Sequence, residues 1–97
     1  MTKVYLCEYG YDYEGSTICR VFDTKEKAEK WEKVCNDLKS EWNAYYNSWE
    51  EKNNPEHRVI QDSAWSTDIA RDYYDQFRKV GANREADYFM YTEHEVV

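Results

Sequence analysis

The side chains that could act as nucleophiles or metal ligands are few, and they form no recognisable motif. The three cysteines, Cys7, Cys19 and Cys35, contain no CxxC pair, and neither His57 nor His94 stands in ligand spacing with any of them. An odd number of cysteines without paired spacing favours reduced, buried thiols, although a Cys7–Cys19 bridge across a hairpin is an alternative. The sequence therefore predicts no metal site.

Carboxylate pairs can supply an acid and a base, but the pairs in this chain show no catalytic spacing. Glu50 and Glu51 are adjacent, and Glu93 and Glu95 are same-face neighbours on a polar segment. The chain has no glycine-rich phosphate loop, no GxSxG and no HExxH sequence. We therefore expect a protein that is not an enzyme and that needs no cofactor.

Acidic and aromatic side chains interleave in two segments of the chain. The sequence contains ten tyrosines and four tryptophans, and their hydroxyl and indole groups cannot all be buried without partners. Such residues are enriched where proteins bind one another, while a merely solubilising acidic surface is the alternative. The predicted partner-binding residues are Tyr9, Tyr11, Asp12, Tyr13, Glu14, Tyr91, Glu93 and Glu95.

The net charge of −7 restricts the class of partner. Direct binding of DNA or RNA depends on cationic neutralisation of phosphates, and no basic patch is present in the sequence. An acidic surface suits a basic protein, or one whose nucleic-acid groove it occupies. No apolar run is long enough to cross a membrane, and the first residues lack the pattern of a signal peptide, so we expect a cytoplasmic protein.

Residues 3–9 and 16–22 predict a β-hairpin, because both are rich in β-branched and aromatic residues and a loop between two glycines joins them. Symmetric pairing about the loop predicts these pairs on one face: Leu6 with Cys19, and Val4 with Val21. The other face would carry Tyr5, Cys7, Tyr9, Ile18, Arg20 and Phe22. Since both faces are largely apolar, something must cover the second one.

A long helix is predicted after the hairpin, with Asp23 as its cap and Glu26 completing a capping box. Its apolar residues recur at alternating steps of three and four, which indicates one buried face. That stripe consists of Ala28, Trp31, Cys35, Leu38, Trp42, Tyr45 and Trp49. Packing on the sheet is the favoured interpretation, and a dimeric coiled coil is the alternative.

The second half predicts a short extended piece at residues 58–60, a helix over residues 67–80 and a third strand over residues 87–97. Ser66 or Thr67 would cap the helix, Ile69, Tyr73 and Phe77 would form its apolar line, and Gly81 would end it. Together these elements predict one α+β domain spanning residues 1–97. Its three-stranded antiparallel sheet would pack with the long helix on one face and the shorter helix at an edge or on the other face.

The segment Val21-Phe22-Asp23-Thr24-Lys25-Glu26-Lys27-Ala28-Glu29-Lys30-Trp31, after a tyrosine-rich hairpin, resembles the N-terminal part of many small phage and prophage proteins. The resemblance covers about the first 35 residues. Some small phage proteins of this build inhibit host defence, including anti-CRISPR proteins. The resemblance thus implies a non-catalytic inhibitor in the host cytoplasm that binds a host defence protein. The acidic charge favours a host protein that is basic or binds nucleic acid.

Two other functions remain open from the sequence. One is an oligomeric sponge for a small nucleotide signal, in which aromatic rings stack on the base and cations hold the phosphate. The available cations outside the long helix are Arg20, Arg58, Arg71, Arg78, Lys79 and Arg84. The other is a structural or assembly subunit. The apolar hairpin also predicts a homodimer, formed through the sheet or the long helix.

Overall fold

The computed structural model describes residues 2–56 and 64–96, and the predicted extended piece at residues 58–60 lies outside them. The predicted α+β fold is confirmed, with a three-stranded antiparallel sheet in the order β2-β1-β3, one long helix and one shorter helix. The elements are β1 (Thr2–Tyr11), β2 (Gly15–Phe22), α1 (Lys25–Asn53), a 3-10 turn (Ala64–Ser66), α2 (Asp68–Lys79) and β3 (Tyr88–Val96).

A β-bulge in the hairpin changes its predicted register. Leu6 pairs with Val21 and Cys7 with Arg20, but the next residue, Glu8, pairs with Ile18. The extra residue in β2 turns Ile18 to the same face as Val21, because a bulge shifts the alternation of side chains by one position. The predicted Leu6–Cys19 and Val4–Val21 pairs, and the placement of Ile18 beside Tyr5, are wrong. The turn is centred on Tyr13, which already moves the register by one residue where Tyr11 pairs with Gly15, and the bulge moves it by one more between Glu8 and Cys7.

Helix α1 packs on one face of the sheet, and its predicted apolar stripe is confirmed. Ala28, Trp31, Cys35, Leu38 and Trp42 are buried, and they join the β1 residues that point to the same side, chiefly Tyr5 and Cys7. The stripe is therefore used within the protomer, against the sheet and α2.

The predicted cap of α1 is displaced by one residue. The Thr24 hydroxyl accepts the hydrogen bond from the Lys27 amide, and the helix begins at Lys25. Asp23 instead accepts a hydrogen bond from Lys27 Nζ, at 2.9 Å, and this bond holds the pKa of Asp23 below its ordinary value. Threonine supplies the same oxygen acceptor as aspartate, so both residues satisfy the rule for caps.

Helix α2 lies beside α1, on the side of the sheet that α1 covers. Its cap at Thr67 and its end at Gly81, with φ 77°, are as predicted. The Phe77 ring stacks on Phe89 of β3 with ring centres 5.8 Å apart. Ala70, rather than the 54% exposed Ile69, completes its buried line. Of the two predicted positions of α2, the other face of the sheet is thus wrong, whereas the contact of Phe77 with β3 is a contact with an edge strand.

The position of α2 follows from the length of α1. A helix of 29 residues spans about 43 Å, which exceeds the roughly 30 Å of a ten-residue strand. The C-terminal half of α1 therefore extends past the sheet, and α2 and the 3-10 turn cover it. Tyr45 of α1 shares a hydrogen bond of 2.5 Å with the Thr67 hydroxyl there, while the Trp31 indole donates to the Val80 carbonyl at the other end of α2, at 2.8 Å.

Candidate partner-binding surface

The turn between β1 and β2 collects the aromatic and acidic residues of the first predicted segment. We use the term hairpin tip for the following residues at this end of the sheet: Tyr9, Tyr11, Asp12, Tyr13, Glu14, Glu85 and Asp87. Gly15, with φ 83°, provides the left-handed conformation that closes the turn, and the Glu14 amide donates to the Tyr11 carbonyl at 3.4 Å. The turn is thus only three residues long, shorter than the six-residue loop predicted.

The chain before β3 supports the hairpin tip. The Asp12 amide donates to Asp87 Oδ2 at 2.8 Å, and the Asp87 amide donates to the Gly10 carbonyl at 2.8 Å. These two bonds bring Asp87 beside the turn.

Tyr13 is the most exposed large side chain of the tip, at 98% of its full surface. Asp12 and Glu14 on either side are also exposed, and neither carboxylate forms an ion pair within residues 2–56 and 64–96. Tyr11 is half-buried and packs edge-on against Tyr9, with ring centres 6.4 Å apart. The tip therefore presents one free aromatic ring between two free carboxylates.

The hydroxyl of Tyr11 is partly buried and lies near the acidic residues of the tip. Partial burial raises the pKa of its hydroxyl, and Tyr9, Glu85, Glu14 and Asp87 raise it further. Each of these neighbours disfavours a second negative charge. A tyrosine hydroxyl is protonated near neutral pH even at its ordinary pKa, so this one can donate a hydrogen bond to a partner.

The second predicted segment lies at the opposite end of the sheet. Glu95 pairs with Lys3, and Glu93 pairs with Tyr5 across β1. Tyr5 and Lys3 lie six and eight positions before Tyr11, the last residue of β1, so roughly 20–26 Å of strand separates these acids from the turn. The predicted residues therefore form two surfaces and cannot contact one small site together.

The side chains at that opposite end are engaged within the protomer. The Tyr91 hydroxyl donates to Glu29 of α1 at 3.3 Å, and the Tyr5 hydroxyl donates to Glu93 at 3.1 Å. Lys3 lies 3.6 Å from the other oxygen of Glu93. These contacts join β3 to α1 and β1, so Tyr91 and Glu93 serve the fold.

Glu85 and Asp87 are tip residues that sequence reasoning did not assign to the site. The signal was the excess of acid in residues 81–97, which has a net charge of −3. In an antiparallel pair the start of β3 meets the end of β1, so residues just before β3 must lie at the hairpin turn. Glu85 also lies 3.8 Å from Arg84, which partly offsets its charge.

The three thiols are free, as predicted, and their environment disfavours the nucleophilic thiolate. Burial raises the pKa of Cys7 to about 11 and that of Cys35 to about 12, and neighbouring thiols add to both shifts. Cys19 is half-buried, and burial raises its pKa as well. Within the described part of the chain, no group of three or more His, Cys, Asp or Glu side chains is placed to hold a metal ion.

Arg84 is the one charged residue of the described ranges that is buried, at 7% exposure. Its guanidinium carbon lies 4.7 Å from the ring centre of Trp42 and 4.6 Å from that of Trp65. Its Nη1 donates to the Ala70 carbonyl at 2.7 Å. Arg84 therefore fixes the segment before β3 to both helices, and it is no longer exposed to hold the phosphate of a nucleotide.

Within the described residues, 2–56 and 64–96, no helix is both long and apolar enough to cross a membrane.

No curated protein and no solved structure shows significant similarity to the chain. Residues 2–55 match the family described as "Domain of unknown function (DUF7336)". The match includes both strands of the hairpin and all of α1, which together contribute most of the buried core residues. Because more than half of the chain is matched, this protein belongs to the DUF7336 family.

Proposed function

We propose that the chain is a non-catalytic, phage-type inhibitor that binds a host defence protein, and that the hairpin tip is its contact surface. The observation that carries the proposal is Tyr13, a fully exposed aromatic ring between two free carboxylates on a turn. The resemblance of the hairpin and helix start to small phage proteins, anti-CRISPR proteins among them, supports the kind of partner.

The charge of the tip favours a basic partner. Asp12, Glu14, Glu85 and Asp87 lie at one end of the molecule, and only Glu85 has an ion-pair partner within the described residues. Clustered carboxylates raise the rate of encounter with a positive surface and exclude acidic ones. A groove that binds the phosphates of nucleic acid has the matching charge, so occupying it would block the nucleic acid.

Tyr13 supplies the anchor that charge alone does not. Tyrosine buries a large rigid area at a low cost in side-chain entropy, and it is enriched among the residues that dominate binding energy. An exposed ring contributes nothing to the core of the free protein. Burial of this ring against a partner would therefore contribute its full hydrophobic free energy to binding.

The first test is capture of a stoichiometric partner from phage-infected host cells by the tagged chain. Asp12→Lys combined with Glu14→Lys should abolish capture. Glu41→Lys combined with Glu51→Lys is the matched control, because both pairs change the net charge from −7 to −3 and all four residues are exposed. The control should retain the partner. Added duplex DNA or RNA should compete with the parent chain if the occupied surface binds nucleic acid.

Equal loss of capture by both double variants would mean that only the net charge matters, and the tip would then have no special role. Equal retention would place the contact elsewhere. A bound nucleotide in the purified chain, in the absence of any protein partner, would contradict the proposal and favour the sponge.

A further inference from the structure

The face of the sheet opposite α1 is largely apolar and exposed. We use the term open face for the side chains that β1, β2 and β3 direct away from the helices. Ile18 and Val21 on β2 keep 55% and 59% of their full surface exposed. The other apolar or aromatic members are Val4, Leu6, Tyr88, Met90 and Val96, which the strand register places on the same side.

None of the described elements lies against the open face. Helix α1 covers the opposite side, where Tyr5 and Cys7 are buried, and α2 and the 3-10 turn pack on α1. Antiparallel sheets with one wet face usually show polar residues there. Here Ile18, Val21 and Met90 are exposed on that face beside the polar Glu8, Thr92 and His94. The fold itself does not explain why these three residues are apolar.

The open face is also depleted of charge in a strongly acidic chain. The chain has 20 acidic residues, yet within the three described strands the register places only Glu8 on this face, and no lysine or arginine of those strands lies there. A second copy carries the same charge of −7, so the two molecules repel each other over most of their surfaces. They can approach closely where both faces are neutral and apolar.

We propose that the open face binds the open face of a second copy of this chain, giving a twofold dimer with two stacked sheets. Three strands of this length present roughly 15 by 30 Å. Two such faces would bury on the order of 1,000 Å² in total, which is at the lower limit for a specific interface. The dimer is therefore expected to dissociate on dilution.

Charge selects one of the two twofold arrangements. An axis along the central strand would place Glu8 against Glu8, and the two carboxylates would repel. An axis across β1 near Leu6 places Glu8 of one copy over Val4 of the other, because both residues lie two positions from Leu6 in opposite directions. His94 pairs with Val4 in the sheet, so this arrangement brings the single acid of each face near the single imidazole of the other.

Sedimentation equilibrium from low micromolar to several hundred micromolar tests the proposal. The parent chain should shift from the protomer mass of 11.8 kDa to twice that mass. Val21→Asp should raise the dissociation constant by at least roughly tenfold, since it places a carboxylate in the interface. Ile18→Asp should do the same. Because both side chains are more than half exposed in the protomer, the circular dichroism of each variant should match that of the parent.

Thr17→Asp is the matched control, because Thr17 is exposed on the same strand but pairs with Tyr9, on the helix side. It should dimerise as the parent does. A parent chain that stays monomeric over the whole range would overturn the proposal. So would a dimer that survives both Val21→Asp and Ile18→Asp, since it would have to form through a strand edge or a helix.

Discussion

The guanidinium of Arg84 stacks on the indole of Trp42, with 4.7 Å between its central carbon and the ring centre. Arg84 lies outside every helix and strand, whereas Trp42 lies in the middle of α1. The contact therefore connects an irregular segment to the longest element of the fold. Burial lowers the pKa of the arginine, and its Nε has no hydrogen-bond partner within the described residues. The stacking and the bond to Ala70 must offset that cost.

Arg84→Ala should lower the free energy of unfolding by about 2–4 kcal/mol, because it removes the stacked cation, its bond to the Ala70 carbonyl and much buried volume. Arg84→Lys retains the charge but loses the planar ring contact, so we expect a loss close to that of alanine. Urea denaturation of both variants measures this. A loss below about 0.5 kcal/mol for Arg84→Lys would show that charge, rather than stacking, is what matters.

The helices and strands whose apolar residues recur at a regular spacing are predicted correctly from the sequence. The prediction fails where one extra residue interrupts that spacing. The α1 stripe recurs at steps of three and four, and all five of its first members are buried. Symmetric pairing about a six-residue loop misplaces the centre of the turn by half a residue and contains no bulge, so the predicted face of Ile18 and the predicted pairs of Leu6 and Val4 are wrong. The burial of Arg84 could not be predicted from the sequence either, because it depends on tertiary contacts of an irregular segment.

The separation of the predicted partner-binding residues into two surfaces follows from the predicted topology of the sheet. In an antiparallel β1–β3 pair the end of β3 must lie beside the start of β1. Glu93 and Glu95 therefore belong near Lys3, far from Tyr13, on any register. What the sequence does not contain is the hydrogen bond from Asp12 to Asp87, because it joins two irregular positions 75 residues apart.

Gly10→Ala should destabilise the protein, because a Cβ at this position would overlap the ring of Tyr88 and lie 2.9 Å from the Gly15 carbonyl oxygen. We expect a loss of about 1–3 kcal/mol by thermal or urea denaturation. In a Tyr88→Ala background the ring is absent, so the cost of Gly10→Ala should shrink there. An unchanged cost in that double-mutant cycle would assign the effect to the backbone instead.

Stability should fall as the pH rises above about 9, because burial raises the pKa of Cys7 and Cys35 to about 11 and about 12 from an ordinary value of 9.0. Below pH 9 both states hold the thiol protons. Above it the unfolded state releases them while the folded state retains them, which favours unfolding by at most about 1.4 kcal/mol per pH unit for each thiol.

Urea denaturation of the parent and of Cys35→Ala at several pH values between 8 and 10.5 measures this effect. The variant should be less stable at every pH but should show a shallower decline. All other titratable side chains are the same in both proteins, so the difference in slope isolates the Cys35 thiol. Parallel curves would mean that Cys35 ionises in the folded state as readily as in the unfolded one.

Once a partner is known, variants of the hairpin tip should show that its charges act on the association rate and that the Tyr13 ring acts on the dissociation rate. Asp12→Lys with Glu14→Lys should slow association and weaken its dependence on salt, because exposed charges act mainly on encounter. Tyr13→Ala should leave the association rate nearly unchanged and raise the dissociation rate, with a loss of about 1–3 kcal/mol in binding free energy. Surface plasmon resonance at two salt concentrations resolves both rates.

The folded state should tolerate these changes, since Asp12, Tyr13 and Glu14 are exposed and the support of the turn comes from the Asp12 amide, which every substitution retains. Thermal melts beside the kinetic measurements establish this. Tyr91→Phe is the contrasting variant, because Tyr91 hydrogen-bonds Glu29 within the protomer. It should lower the melting temperature slightly and leave both rates unchanged. If Tyr91→Phe weakens binding while Tyr13→Ala does not, the contact surface lies at the β3 end of the sheet, and the hairpin tip is only a solvated turn.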